Sequence, residues 1–156
     1  MPSLGLAAIQ GSMTHALPRT DRSLPIALLR ARERVMGPVR QLLNGQDLTE
    51  QQWRVLRVVQ ESGPIDPTQI ADQACLLLPS LTRILQKLQE KGLIDRARDE
   101  TDRRRQVITL TDAGMQVIEA NIDDSLALIE RTREKMGAED YEALLDLLRK
   151  LNGLDL

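Results

Sequence analysis

The sequence predicts a mainly α-helical fold interrupted by one short β-hairpin, and three observations lead there. Between Leu78 and Gly92, the apolar residues Leu81, Ile84, Leu85 and Leu88 follow the i, i+3, i+4, i+7 spacing of a helix with one buried face. Directly after it, Leu93–Thr111 reads as two short β-prone runs flanking a charged tip that carries Arg103, Arg104 and Arg105. Amphipathic helices also stand at both ends of the chain, with more apolar surface than one small module between them can cover. A helix with a polar outer face beside a cationic finger is a shape that fits duplex DNA. The helix is narrow enough for the major groove, and the finger can reach the minor groove.

In chain order, residues 1–22 are rich in Gly, Pro, Ser and Thr without periodicity and read as a flexible tail. Ser23 is placed as the N-cap of a first helix reaching about Leu43, with Pro25 in its first turn. Leu24, Leu28, Val35, Val39 and Leu42 share one face, Pro38 is expected to kink or split the helix, and Asn44-Gly45 stops it. Thr49 with Gln52 forms a capping box for a helix from Glu50 to about Glu61, which carries Trp53, Leu56 and Val59 or Gln60 on successive turns and stops at Ser62-Gly63-Pro64. A short helix from Pro67 to Cys75 turns Ile70, Ala71 and Ala74 inward, and the helix from Leu78 to Lys91 closes at Gly92. Thr111 caps what reads as a single long helix to about Met136, with Met115, Ile118, Ile122, Leu126 and Ile129 in one stripe. Gly137 breaks it, and a last helix from Ala138 to about Leu151 carries Tyr141, Leu144, Leu145, Leu148 and Leu151.

Composition narrows the function. At 156 residues, with 42% apolar and 28% charged content, the chain is one soluble globular domain. There is no Phe, and Trp53 and Tyr141 are the only aromatics, so the core is aliphatic. That argues against a stacking platform for single strands, which needs aromatic faces. One cysteine, Cys75, rules out an internal disulfide and fits a reducing cytosol. No apolar run approaches the roughly 20 residues that span a bilayer, and the N-terminus lacks a signal-peptide pattern, so a cytoplasmic location is expected. The only histidine, His15, lies in the tail. With no Ser-His-Asp, Cys-His, metal-spaced or Gly-rich phosphate pattern, the chain is expected to be no enzyme and to need no cofactor or metal. The overall charge of −2 hides an asymmetry: +1 over residues 1–78, +3 over 79–105 and −6 over 106–156. The acidic last third repels phosphate, so any nucleic-acid contact belongs in the middle.

Four helices, a hairpin and two more helices make the plan of a winged helix-turn-helix module (about 46–111) embedded in a helical dimerisation frame (about 23–44 and 112–152), the whole domain spanning 23–156. On particular residues the chain resembles the MarR family of transcriptional regulators. Asp102-x-Arg104 followed by Leu110-Thr111 matches the family's wing signature. Leu48-Thr49-x-x-Gln52-Trp53-x-x-Leu56 and Cys75-x-Leu77-x-Pro79-Ser80-Leu81-Thr82 open the corresponding helices. With Ser23-Leu24-x-Ile26-Ala27-Leu28-Leu29-x-Ala31-Arg32-Glu33, the chain looks like the branch that regulates homoprotocatechuate (4-hydroxyphenylacetate) degradation operons; the likeness spans about residues 21–152. The resemblance implies a homodimeric repressor of an aromatic-compound catabolic operon. It would bind a pseudo-palindromic duplex operator and leave it when a phenolic acid binds.

The residues support site expectations of their own. Pro79 and Ser80 open a helix whose N-terminal N–H groups suit a phosphate. Thr82, Arg83, Gln86 and Lys87 point outward: Arg83 suits guanine edges, Gln86 adenine, and Thr82 a thymine methyl or a phosphate. The plain alternative is four ordinary solvent-facing residues. At the wing, the resemblance implies that Arg104 enters the minor groove with Asp102 holding its guanidinium, and Arg103 and Arg105 are read as phosphate contacts. The alternative there is a turn-stabilising Asp102–Arg104 pair. For the effector, the resemblance favours Arg32 for the carboxylate, Arg30 second, with Trp53 as a flat wall. Against this, Arg30, Arg32 and Arg34 can simply pair with Glu33 or a partner's acids, and Trp53 can be core. Cys75 reads as a small buried hydrophobe. Other functional readings are a regulator answering a different ligand or Cys75 oxidation, or a protein-interaction module without DNA, against which three consecutive arginines stand.

Overall fold

A computed structural model describes residues 16–156, so most of the expected tail, His15 included, lies outside the described residues. At the end of that tail, Thr20–Arg22 forms one 3-10 turn. The described residues divide into two units, one ending at Val35 and one running from Met36 to Leu156. The first holds the 3-10 turn and the opening turns of α1 (Leu24–Asn44), where Leu24, Leu28, Leu29 and Val35 are all exposed. Of the two outcomes expected at Pro38, a kink or a split, the split does not occur: α1 continues through Pro38. The residue before it, Gly37, has no Cβ to clash with the proline ring, which is the contact that usually ends a helix there.

The second unit is built on an aliphatic core under a reading module. α2 (Glu50–Ser62) starts with the full reciprocal capping box: Gln52 N–H donates to Thr49 Oγ1 at 3.1 Å, and Thr49 N–H to Gln52 Oε1 at 3.2 Å. α3 (Pro67–Gln73) is capped by Asp66, whose Oδ1 accepts from Gln69 N–H at 2.9 Å. α4 (Leu78–Glu90) follows, then β1 (Ile94–Arg98) and β2 (Gln106–Leu110), paired antiparallel with Ile94 opposite Leu110. Ile65 and Ile108 exchange backbone hydrogen bonds of 3.1 and 2.8 Å, pinning the hairpin to the segment before α3. Leu56, Ile70, Leu81, Leu85 and Ile108 meet fully buried between these elements. Each such side chain contributes roughly 1.5–3 kcal/mol relative to exposure.

The ends of α3 and α4 share one device. Gly92 N–H bonds to Gln89 O at 2.9 Å and Leu93 N–H to Leu88 O at 3.0 Å, with Gly92 at φ +73°. Cys75 N–H bonds to Asp72 O at 3.2 Å and Leu76 N–H to Ala71 O at 2.9 Å, with Cys75 at φ +52°. Both are Schellman ends, which need a left-handed residue just past the helix. This corrects the reading of Cys75 as buried. The left-handed position turns its side chain to solvent, while its neighbour Ala74 takes the core place.

The expected long helix after Thr111 is also corrected: it is two helices, α5 (Asp112–Ala120) and α6 (Ile122–Met136), meeting at Asn121. Asn121 Nδ2 donates to Val117 O at 2.8 Å, the carbonyl that the backbone N–H of residue 121 would take in a regular helix. That N–H goes instead to Ile118 O at 3.0 Å, a tightened turn, and Ser125 N–H restarts the ladder on Asn121 O at 3.0 Å. Gly137 at φ +89° separates α6 from α7 (Ala138–Asn152), as expected. The predicted stripe divides accordingly: Ile118 is buried, whereas Ile122, Leu126 (56% exposed) and Ile129 are uncovered in the single chain, as are Leu144, Leu145 and Leu147 of α7. No helix of the described residues is long and apolar enough to cross a membrane.

Candidate nucleic-acid interface

α4 starts differently from the two helices packed beneath it. Thr49 and Asp66 cap α2 and α3 with side chains, but Leu77 gives α4 no side-chain cap, and Pro79 in its first turn has no N–H to satisfy. Among the described residues the N–H groups of Leu78 and Ser80 have no backbone acceptor, so the helix start presents donors and its positive dipole end outward. Pro79, Ser80, Thr82, Arg83, Gln86 and Lys87 are all exposed along this face, while Leu81, Leu85 and Leu88 hold the opposite face in the core. The Thr82 hydroxyl donates to Leu78 O at 3.0 Å. Its proton is thereby used, and it meets a base edge as an acceptor or through its methyl group. Gln86 Nε2 and Lys87 Nζ both reach Glu90, at 3.3 and 3.1 Å.

The hairpin tip is an ordered turn. Asp99 Oδ1 accepts the Thr101 N–H at 2.9 Å and its hydroxyl at 2.8 Å, which together hold the Asp99 carboxyl below the usual carboxylate range. Asp99 N–H bonds to Arg105 O at 2.9 Å, and Arg105 N–H to Asp102 O at 3.0 Å. The expected clasp of Asp102 on the Arg104 guanidinium is not what forms. Asp102 Oδ1 accepts the backbone N–H of Arg104 at 3.1 Å, so this carboxylate shapes the turn and leaves the guanidinium to project.

Arg105 makes a contact that was not expected. Its guanidinium donates to Asp66 Oδ2 at 2.7 Å, an ion pair across 39 positions of sequence. Asp66 therefore caps α3 with one oxygen and holds the hairpin with the other. The Gln69 N–H first, then Arg105, lower its pKa, and the carboxylate in turn raises that of Arg105. Arg105 reads here as a brace on the wing, with its charge already partnered, and Arg103 and Arg104 remain as the outward cations of the tip. Asp66 was not singled out by the sequence reading, although Asp before Pro at a helix start is a recognisable cap.

Thr82 of α4, Gln69 at the start of α3 and Arg96, Arg104, Arg105 of the hairpin line one open cleft of about 710 Å³. Recognition helix and wing arginines thus share one face. The expected effector residues divide between the two units. Arg30 donates to Thr20 Oγ1 at 3.2 Å, and Arg32 pairs with Glu33 at 3.1 Å. Trp53, half-buried, packs against the core of the second unit. A second cleft, of about 430 Å³, lies between the last turns of α1 and α6 and contains Arg131, a cation the sequence reading did not single out. Among the described residues, no group of His, Cys, Asp and Glu is arranged to hold a metal ion.

Comparison with known proteins agrees with this geometry. The MarR family model matches residues 48–105, which spans α2 to the wing tip. The chain is 39% identical over 132 residues to the HTH-type transcriptional regulator FarR of Neisseria gonorrhoeae, covering 83% of this chain and 88% of that protein. It is 40% identical over 119 residues to the homoprotocatechuate degradative operon repressor of Escherichia coli, covering 73% and 80%. The crystal structure of NadR in complex with 4-hydroxyphenylacetate superposes with a TM-score of 0.78 at 34% identity, over 99% of this chain and all of that one.

Proposed function

This chain belongs to the MarR family of DNA-binding transcriptional regulators, and from that premise we propose that it represses an aromatic-compound catabolic operon and is released by a phenolic acid. It is a regulator and not an enzyme. It works as a homodimer on a pseudo-palindromic operator in the cytoplasm, where the chromosome is, with half-sites about one helical turn apart. The observation that carries the reading is the shared face: an uncapped α4 start and the wing arginines open onto one cleft. In this reading the Leu78 and Ser80 N–H groups meet a phosphate, Thr82, Arg83 and Gln86 read base edges, Lys87 and Arg103 meet phosphate, and Arg104 reaches the minor groove. Asp102 and Arg105 hold the wing in shape.

Lys87→Ala should lower the slope of log affinity against log salt by about one contact. An unchanged slope in a salt-titrated gel-shift series would place Lys87 away from phosphate.

For the effector, an arginine is the expected partner of a phenolic acid's carboxylate, because the guanidinium accepts it in bidentate geometry. Arg32, with Arg30 and Trp53, is the first candidate. Arg131 is the second, because it stands in a formed cleft. Calorimetric titration with 4-hydroxyphenylacetate and 3,4-dihydroxyphenylacetate separates them: Arg32→Ala or Arg131→Ala should abolish the heat, whichever holds the carboxylate. No heat from the unaltered protein, together with an operator complex that neither acid disturbs, would refute the effector.

A further inference from the structure

The reading module and the last two helices join at one buried asparagine. We infer that Asn121, tied to Gln46, is a positioning residue that sets the separation of the two recognition helices in the dimer. The inference rests on the DNA-binding reading above and adds to it a determinant of half-site spacing.

α6 packs chiefly on α5 and α7, so its angle to the module is decided where it leaves α5. Among the described residues it packs less on α1 than on α5 and α7, and a cleft of about 430 Å³ is lined by Pro38, Gln41 and Leu42 on one side and Ala127 and Leu128 on the other. At the join, Asn121 is fully buried. Its Nδ2 donates to Val117 O at 2.8 Å and to Gln46 Oε1 at 3.0 Å. The orientation of the amide follows from chemistry, because the Val117 carbonyl can only accept.

Gln46 lies in the turn between α1 and α2, which is the other place where the chain crosses between helical frame and module. One side chain therefore fastens both crossings. It does so at a cost: among the described residues, the buried Asn121 Oδ1 has no hydrogen-bond partner. A buried acceptor left unpaired is penalised, and an apolar residue here would avoid the penalty and let α5 and α6 run on as one helix.

The lever is long. α6 has 15 residues, about 22 Å at the rise of an α-helix. A turn of about 10° at its base moves the far end by about 4 Å, close to the ~3.4 Å that separates successive base pairs. A pivot looser than that would blur the half-site register, and the Asn121–Gln46 tie removes the looseness.

Cys75 is the only cysteine and is exposed just before the recognition helix, so the native chain accepts one spin label per protomer there. Dipolar distances between the two labels in the full-length dimer should form a narrow distribution. Gln46→Ala changes an exposed residue and leaves the core intact; it should broaden that distribution. It should also reduce the preference for the natural operator over ones with a spacer longer or shorter by one base pair, by roughly tenfold, the scale of one lost hydrogen bond. Gln46→Glu keeps an acceptor for Nδ2 and should restore both. An unbroadened distribution and unchanged spacing preference in Gln46→Ala would overturn the inference, as would a missing dipolar signal from a monomeric protein. If the unaltered protein ignored every duplex, the DNA-binding reading would fall, while the label distances would still decide whether Gln46 fixes the pivot.

Discussion

Arg104→Ala should weaken operator binding by about ten- to a hundredfold, the ~1–3 kcal/mol expected of an arginine lost from a groove contact. The dimer and its melting temperature should be unchanged. Asp102 Oδ1 accepts the Arg104 backbone N–H, and no ion pair to the Arg104 guanidinium forms among the described residues. The side chain lines the same cleft as Thr82 of α4, which places it at the edge of any duplex the helix engages. A narrow A·T-rich minor groove concentrates negative potential, and an unpaired guanidinium enters it without first breaking an ion pair. Arg105→Ala serves as the contrast, since its charge is already held by Asp66. It should loosen the wing and cost less affinity than Arg104→Ala. Anisotropy titrations of both variants against a labelled operator check the ranking, and equal affinity of Arg104→Ala and the unaltered protein would remove Arg104 from the interface.

Gly114→Ala should have the largest effect on stability, about 2–4 kcal/mol. Gly114 is buried in the first turn of α5, and a Cβ there would fall on the carbonyl oxygen of Leu93, with Leu110 Cδ2 at 3.0 Å. The obstacle is backbone rather than a flexible side-chain end. Leu93 O is already held by the Thr111 N–H at 3.2 Å, and Thr111 in turn caps α5 through the Gly114 N–H at 3.0 Å. Relief would have to move the start of the hairpin away from the helix, opening the core around Ile94 and Ile118. Thermal unfolding at fixed protein concentration should show a fall of several degrees. An unchanged melting temperature would mean that α5 can back away from Leu93 at little cost.

The elements decided by neighbouring residues were legible from the chain. Thr49 with Gln52 announced the start of α2, Gly92 the end of α4, Gly137 the break before α7, and the spacing of Leu81, Leu85 and Leu88 the buried face of the recognition helix. The readings that changed at Asn121, Cys75 and Arg105 depend on partners remote in sequence or on backbone handedness. Asn121 sits in an otherwise regular amphipathic pattern, and it breaks the helix because its amide is claimed by Val117 and, from 75 positions away, by Gln46. Cys75 next to three leucines looks like core until the Schellman end of α3 turns it outward. Arg105 resembles its neighbours Arg103 and Arg104 in every local respect, and only the fold brings Asp66 within 2.7 Å of it.

The chain by itself determined the order of helices and hairpin, the aliphatic core and the concentration of positive charge at the wing, because these follow from periodicity, capping and composition within a few residues. Only the tertiary structure decided which arginine is spent on holding the wing, which remains for a groove, and where the helix leading out of the module bends. Those outcomes are competitions for a limited set of donors and acceptors, and the winner is the partner that packing of the whole domain brings within hydrogen-bond reach.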